Sequence, residues 1–275
     1  MIVVVDSGST KSHWALIKNK ESHEVIEKPG YNPYTHDAGV LSKIVQSIGN
    51  LNSIDKIYFY GAGIIPGESR QIVISLLLRE LPHATVEAET DLLAAARAVC
   101  KDDSGLVCIL GTGSNSCYYD GQRIVRSIPT LGYILGDEGS GTHIGKEIIR
   151  SFFYQEMPTK LSASFVKEYG SEKLEILGSL LQNPAPNQYL ASFSIFAYQH
   201  LKEPFIFALV KKCISDFFHR HLIKYQLPEK VNFVGSIAHY YSNVVEECLN
   251  DFKMNKGRIL KSPINDLISY HKGKM

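Results

Sequence analysis

The chain has 275 residues, 44% hydrophobic and 21% charged, with 29 Lys and Arg against 28 Asp and Glu. That length exceeds one comfortable hydrophobic core and suits two linked domains. A net charge of +1 argues against binding nucleic acid mainly through its phosphates, and no stretch approaches the apolar length of a membrane span.

Residues 2–5 (IVVV) read as a buried strand that stops at Asp6, followed by small and hydroxyl residues as far as Ser12. The opening apolar run is too short for a signal-peptide core and lacks a basic start, so a cytoplasmic protein is expected. Residues 13–18 and 24–27 read as further strands of an antiparallel meander. The sequence Pro29-Gly30-Tyr31-Asn32-Pro33 is a loop. Residues 41–51 carry helical periodicity, 56–60 a strand ending in Gly61-Ala62-Gly63, 69–81 a helix, 84–88 a strand, and 91–100 an Ala-rich helix. Such alternation implies parallel βαβ pairing.

After a turn near Ser104 the pattern restarts. Residues 106–110 form a buried strand that again ends in a small-residue turn, Gly111-Thr112-Gly113-Ser114-Asn115-Ser116, and a hairpin around Asp120-Gly121 follows. A helix spans 203 to about 225, with Phe207, Val210, Ile214, Phe217 and His221 stepping by three or four. Strands at 231–234 and 258–260 close the pattern. The expected domains are residues 1–104 and 105–275, the second with helical additions. Cys100, Cys108, Cys117, Cys213 and Cys248 offer neither a zinc spacing nor a disulfide framework and read as reduced thiols in or near the core.

Asp6-Ser7-Gly8-Ser9-Thr10 fits a phosphate loop, since small residues admit close backbone approach and a carboxylate at a strand end can serve Mg²⁺. It fits an ordinary polar turn as well. Gly111-Thr112-Gly113-Ser114-Asn115 has the same logic and is neither a dinucleotide fingerprint nor a Walker loop. Two such turns, one in each half of the chain, point to two loops gripping one polyphosphate across a cleft. Asp91 stands at a helix start, as a first-turn acid or as a general base. The segment from Leu131 to Gly141 has glycines at 132, 136, 139 and 141 beside Asp137 and Glu138, a density that suits a ligand-wrapping loop offering Asp137. His219 and His221, two apart on a helix, point to different faces and read as solvated or packing residues.

In their order and spacing these residues resemble the BadF/BadG/BcrA/BcrD-type ATPase family, and within it the N-acetylglucosamine kinases of the actin-like ATPase and sugar kinase superfamily. The resemblance rests on Asp6 to Ser12, Gly30-Tyr31-Asn32-Pro33, Thr90-Asp91, Gly111 to Asn115, Gly136 to Gly141, and Val234-Gly235-Ser236. It implies an α/β fold of two ribonuclease-H-like domains around a central cleft, a homodimer, and ATP-dependent phosphorylation of an amino sugar, most directly N-acetylglucosamine at its 6-OH. Asp6 would serve Mg²⁺. Gly8, Ser9, Thr10 and Lys11, with Gly111, Thr112 and Gly113, would hold phosphates, and Gly235 and Ser236 would lie by the adenosine. Asn32, Ser114, Asn115 and Asp137 would bind sugar, and Asp91 would be the base. A non-catalytic sugar or ATP sensor on the same fold is the alternative. So is an ATPase activator, the branch that Ser7 and Ser9, where the kinases have glycine, resemble; that branch needs cysteine ligands for an iron–sulfur cluster, and Cys108 and Cys117 sit in the wrong context for them.

Overall fold

The computed structural model describes residues 1–8, 11–225 and 230–275. Among them, two five-stranded sheets form. The first contains β1 (Ile2–Ser7), β2 (Lys11–Ile17), β3 (His23–Pro29), β4 (Lys56–Gly61) and β5 (Thr85–Thr90), in the order β3-β2-β1-β4-β5. The pairs β1–β2 and β2–β3 are antiparallel, while β1–β4 and β4–β5 are parallel. Val3, Val4 and Val5 on the central strand are wholly buried, as expected where helices cover both faces of a sheet.

The second sheet contains β6 (Gly105–Leu110), β7 (Ser114–Tyr119), β8 (Ile124–Ser127), β9 (Lys230–Val234) and β10 (Asn255–Leu260), in the order β10-β9-β6-β7-β8. From the other edge this is the first sheet again. The opening strand lies in the middle, the next two lie on one side, and the last two on the other. The strand pairs β6–β9 and β9–β10 are parallel, like their counterparts. The restart after Ser104 is thus a repeated topology.

Strand alternation divides the first sheet into two faces. Val3, Val5 and Phe59 join Trp14 in a core with Leu41, Val45, Val73 and Leu77, from helices Ala38–Gln46 and Glu68–Glu80. Val4, Asp6, Tyr58 and Tyr60 lie on the opposite face, under helices Asp91–Cys100 and Ile264–Gly273. In the second unit Leu106, Cys108, Leu110 and Phe233 pack with Ile144, Ile148, Val210, Ile214 and Phe217. All five cysteines are buried and none forms a disulfide. No helix among the described residues is long and apolar enough to cross a membrane.

The chain divides into two compact units: Met1–Ser104 with Tyr119–Ile124 and Ser262–Met275, and Gly105–Tyr118 with Val125–Lys261. This corrects the expected 105–275 domain, because the C-terminal segment belongs to the first unit. Helix Ile264–Gly273 buries Ile264, Leu267, Ile268 and His271 and packs on β1, β2 and helix Asp91–Cys100. Local corrections have equally local causes. Strand β1 runs through Asp6 to Ser7 because both residues pair with β2 and β4. The helix expected over 41–51 ends at Gln46, ahead of Gly49 and Asn50 in the left-handed region. Ser114, Asn115 and Ser116, expected in a turn, open β7 instead. The helix expected over 203–225 is Pro204–Arg220 followed by a 3-10 turn, Leu222–Lys224.

Candidate active site

In open α/β sheets, ligands bind beyond the carboxyl ends of the parallel strands, and the expected site residues gather there in each unit. In the first, Ser7 of β1, Gly61 of β4 and Thr90 of β5 stand level across the sheet. Asp6 lies one residue before Ser7, and Asp91 follows Thr90 as the first residue of its helix. Thr90 caps that helix, its Oγ1 accepting from Leu92 N–H at 3.3 Å and donating to Asp91 Oδ1 at 3.1 Å.

Asp6 and Asp91 keep some surface open, yet both are crowded by protein on nearly every side. Burial, then the Asp91 charge, pushes the Asp6 carboxyl up to about 7, against a smaller opposing pull from Lys11. Burial also raises Asp91, opposed by its bonds from Thr90 and Leu92. No cation among the described residues lies within ion-pair distance of either. Two neighbouring buried carboxyls with raised pKa values are a functional-site signature.

Ser7 has a definite local use. Its Oγ accepts from Tyr31 N–H at 2.9 Å and donates to Tyr31 O at 3.1 Å, tying the end of β1 to the loop that carries Asn32. A glycine would lose this tether. Asn32 Oδ1 accepts from Tyr34 N–H at 2.9 Å. Gly63, at φ 78°, makes room for it: a Cβ there would lie 2.5 Å from Asn32 Oδ1. Gly8 N–H donates to Lys11 O at 3.0 Å, and the exposed Lys11 Nζ reaches Glu27 Oε2 at 3.3 Å. Ser9 and Thr10 lie outside the described residues.

In the second unit, the turn after β6 is pinned to the start of helix Gly141–Phe153. Gly111 O accepts from Gly141 N–H at 2.8 Å, and Thr112 O accepts from Thr142 Oγ1 at 2.6 Å. Asp137, in the left-handed region at φ 59°, turns its carboxylate to this loop. Ser114 N–H donates to Asp137 Oδ1 at 3.3 Å, and a Cβ on Gly113 would lie 3.1 Å from Asp137 Oδ2. Burial raises the Asp137 pKa, partly offset by that bond and by Lys146. Ser114 Oγ is buried without a hydrogen-bond partner, while Asn115 Oδ1 accepts from Ser116 N–H at 2.8 Å. Gly235, at φ 125°, ends β9 and opens helix Ser236–Tyr240; a Cβ there would strike Leu110 O. So Gly235 and Ser236 stand beside Gly111, at the neighbouring strand end.

Sequence reasoning missed what holds the Asp137 loop. Glu138 Oε2 lies 3.8 Å from His221 Nε2, His221 Nδ1 lies 3.1 Å from Ser116 Oγ, and Ser116 Oγ lies 2.9 Å from Tyr225 Oη. Burial lowers the His221 pKa, against the pull of Glu138. The available signal was the place of His221 in the apolar stripe of its helix. Its partners lie too far away in sequence for spacing to show them.

No family model and no curated protein matches the chain. Solved structures are similar over its whole length. A "Putative N-acetylglucosamine Kinase" from Porphyromonas gingivalis is 38% identical, with a TM-score of 0.94 and 99% of each chain covered. A protein of the same title from Chromobacterium violaceum is 14% identical, with a TM-score of 0.72 and 98% of each chain covered. A ROK family glucokinase from Streptomyces griseus, in complex with glucose and AMPPNP, is 12% identical, with a TM-score of 0.58 and 98% and 97% covered. The two distant likenesses show the fold alone; the 38% identical structure together with the duplicated sheets gives the two-domain actin-like ATPase fold.

Proposed function

The chain belongs to the N-acetylglucosamine kinase-like family of ATP-dependent sugar kinases, and we propose that it transfers the γ-phosphate of ATP to the 6-OH of N-acetylglucosamine or a closely related amino sugar. The observation that carries this reading is Asp91, the first residue of its helix, beside Asp6 at the carboxyl end of the first sheet.

In the reaction, the sugar oxygen bonds to the γ-phosphorus as the bond to the ADP oxygen breaks, and the hydroxyl proton passes to an Asp91 oxygen. A carboxylate raised by burial takes a proton more readily than one in water, so its environment suits a base. Asn32, Ser114, Asn115 and Asp137 would hold sugar hydroxyls. Asn32 Oδ1 is already taken by Tyr34, which leaves its amide nitrogen as donor. The Gly111–Gly113 turn, with Gly8, Ser9, Thr10 and Lys11, would receive phosphates, and Gly235 and Ser236 the adenosine. Backbone N–H groups of such turns stabilise phosphate charge without reorganising.

The residues also fit Mg²⁺. Among the described residues, Asp6 is a crowded carboxyl with no cation in ion-pair reach, and no group of three or more His, Cys, Asp or Glu could hold a metal alone. That agrees with an ion which takes one or two carboxylates and completes its shell with phosphates and water. Bound at Asp6, Mg²⁺ would neutralise charge on the transferring phosphate.

The test is a substrate panel followed by ³¹P NMR: N-acetylglucosamine, N-acetylmuramic acid, glucosamine, N-acetylmannosamine and glucose, each with ATP and Mg²⁺. A 6-phosphate on an amino sugar, with glucose far poorer, supports the reading. Transfer to none of them overturns it.

A further inference from the structure

The first unit contains a buried polar cluster that none of these roles uses. Arg97, on the helix that Asp91 opens, has no carboxylate within ion-pair distance among the described residues. Its Nη1 donates to Tyr60 Oη at 2.6 Å, and Tyr60 Oη stands 2.9 Å from His271 Nε2. The Tyr60 hydroxyl is free to give its own proton to His271 Nε2, on a ring that burial and nearby cations keep neutral, its pKa lowered to about 3. The guanidinium lies 5.7 Å from the ring centre of Tyr60 and 5.6 Å from that of Tyr270. His271 also packs on Tyr58, ring centres 3.9 Å apart. Arg97 Nε is buried without a partner.

Arg97 is half-buried with its Nε sealed from solvent and unpartnered, an arrangement that an apolar residue there would avoid. Its position explains its presence. Tyr60 is directly opposite Asp6 in the parallel β1–β4 register, on the same face of the sheet. Arg97 lies six residues after Asp91, about 9 Å along one rigid helix. A bond from Arg97 to Tyr60 therefore ties the helix carrying one carboxylate to the strand neighbouring the other. The C-terminal helix, through His271 and Tyr270, closes the arrangement from outside.

We infer that Arg97 and Tyr60 are positioning residues: they set the rotation and height of helix Asp91–Cys100 over the sheet, and so hold the Asp91 carboxylate beside Asp6. The inference rests on the reading of Asp91 as the base. A directional hydrogen bond with ring contacts fixes a helix more tightly than apolar packing does, and small misplacements of a base carry large rate losses.

The experiment is a double-mutant cycle on the full chain, with kcat, both KM values and Tm measured for wild type, Tyr60→Phe, Asp91→Asn and the pair. Tyr60→Phe keeps the ring and removes only the bridging oxygen. It is expected to lower kcat about tenfold, below the hundredfold that an ångström of misplacement costs, with both KM values within about twofold. In the Asp91→Asn background it is expected to change kcat by less than about twofold, since no base remains to be misplaced. Arg97→Lys, which keeps the charge without the fork, should repeat the pattern if Tyr60→Phe folds poorly. Unchanged kcat in both variants, or the same tenfold loss with and without Asp91, would overturn the positioning role. Full activity of Asp91→Asn alone would instead remove the base assignment, a separate failure.

Discussion

Asp6 on the central strand and Asp91 at the head of its helix are coupled: burial first, and the Asp91 charge second, lift the Asp6 carboxyl from 3.8 to about 7. The folded protein therefore holds this proton more tightly than the unfolded chain does. The stabilisation is fully present below the unfolded value of 3.8 and is lost as pH rises through about 7. Without ligands, the unfolding free energy should fall between pH 5 and 8 by about 2 kcal/mol from this group. Asp6→Asn should flatten that slope and be the more stable protein at pH 8, while losing Mg²⁺-dependent activity. Urea unfolding at several pH values reads the first effect; an equal slope in both proteins would contradict it.

Gly113 leaves the space in which the Asp137 carboxylate lies. In Gly113→Ala the new Cβ would lie 3.1 to 3.3 Å from the Asp137 carboxyl group, so this side chain must move. If Asp137 grips the sugar, KM for the sugar should rise about tenfold, the equivalent of one lost hydrogen bond to a charged group, with Tm little changed. Steady-state kinetics against sugar and ATP separate this from a general loss.

Ser114 Oγ is buried with no partner, a state that costs about 1–3 kcal/mol. Ser114→Ala should therefore leave the ligand-free protein as stable or slightly more stable. If that hydroxyl bonds the sugar, the variant should also raise KM for the sugar. Higher stability with unchanged KM would remove Ser114 from the sugar site.

Much of this arrangement was legible in the sequence where a side chain's use is local. Helix Asp91–Cys100 begins at the residue its pattern predicted, because Thr90 and Asp91 form a capping pair ahead of an apolar run. Of the expected glycine–hydroxyl turns, Gly111-Thr112-Gly113 falls after β6, where an apolar run gives way to residues without bulk, while Ser9 and Thr10 of the first lie outside the described residues. Long-range uses were hidden. Ser7 looked like a departure from a glycine pattern, and only the fold brings Tyr31 to it. His221 sat in an apolar stripe, but its pairing with Glu138 and Ser116 needed the loop and β7 folded against it. The C-terminal helix gave no hint that it returns to the first unit, since Tyr58 and Tyr60, its partners, lie at the other end of the chain.

Whether Asp91 removes the proton from the attacking hydroxyl is read most plainly from single-turnover phosphoryl transfer by wild type and Asp91→Asn at saturating ATP, Mg²⁺ and N-acetylglucosamine. Wild type should form the 6-phosphate, and the variant should be slower by about 10²–10⁴, with both ligands still binding. Equal rates in the two proteins would contradict that role for Asp91.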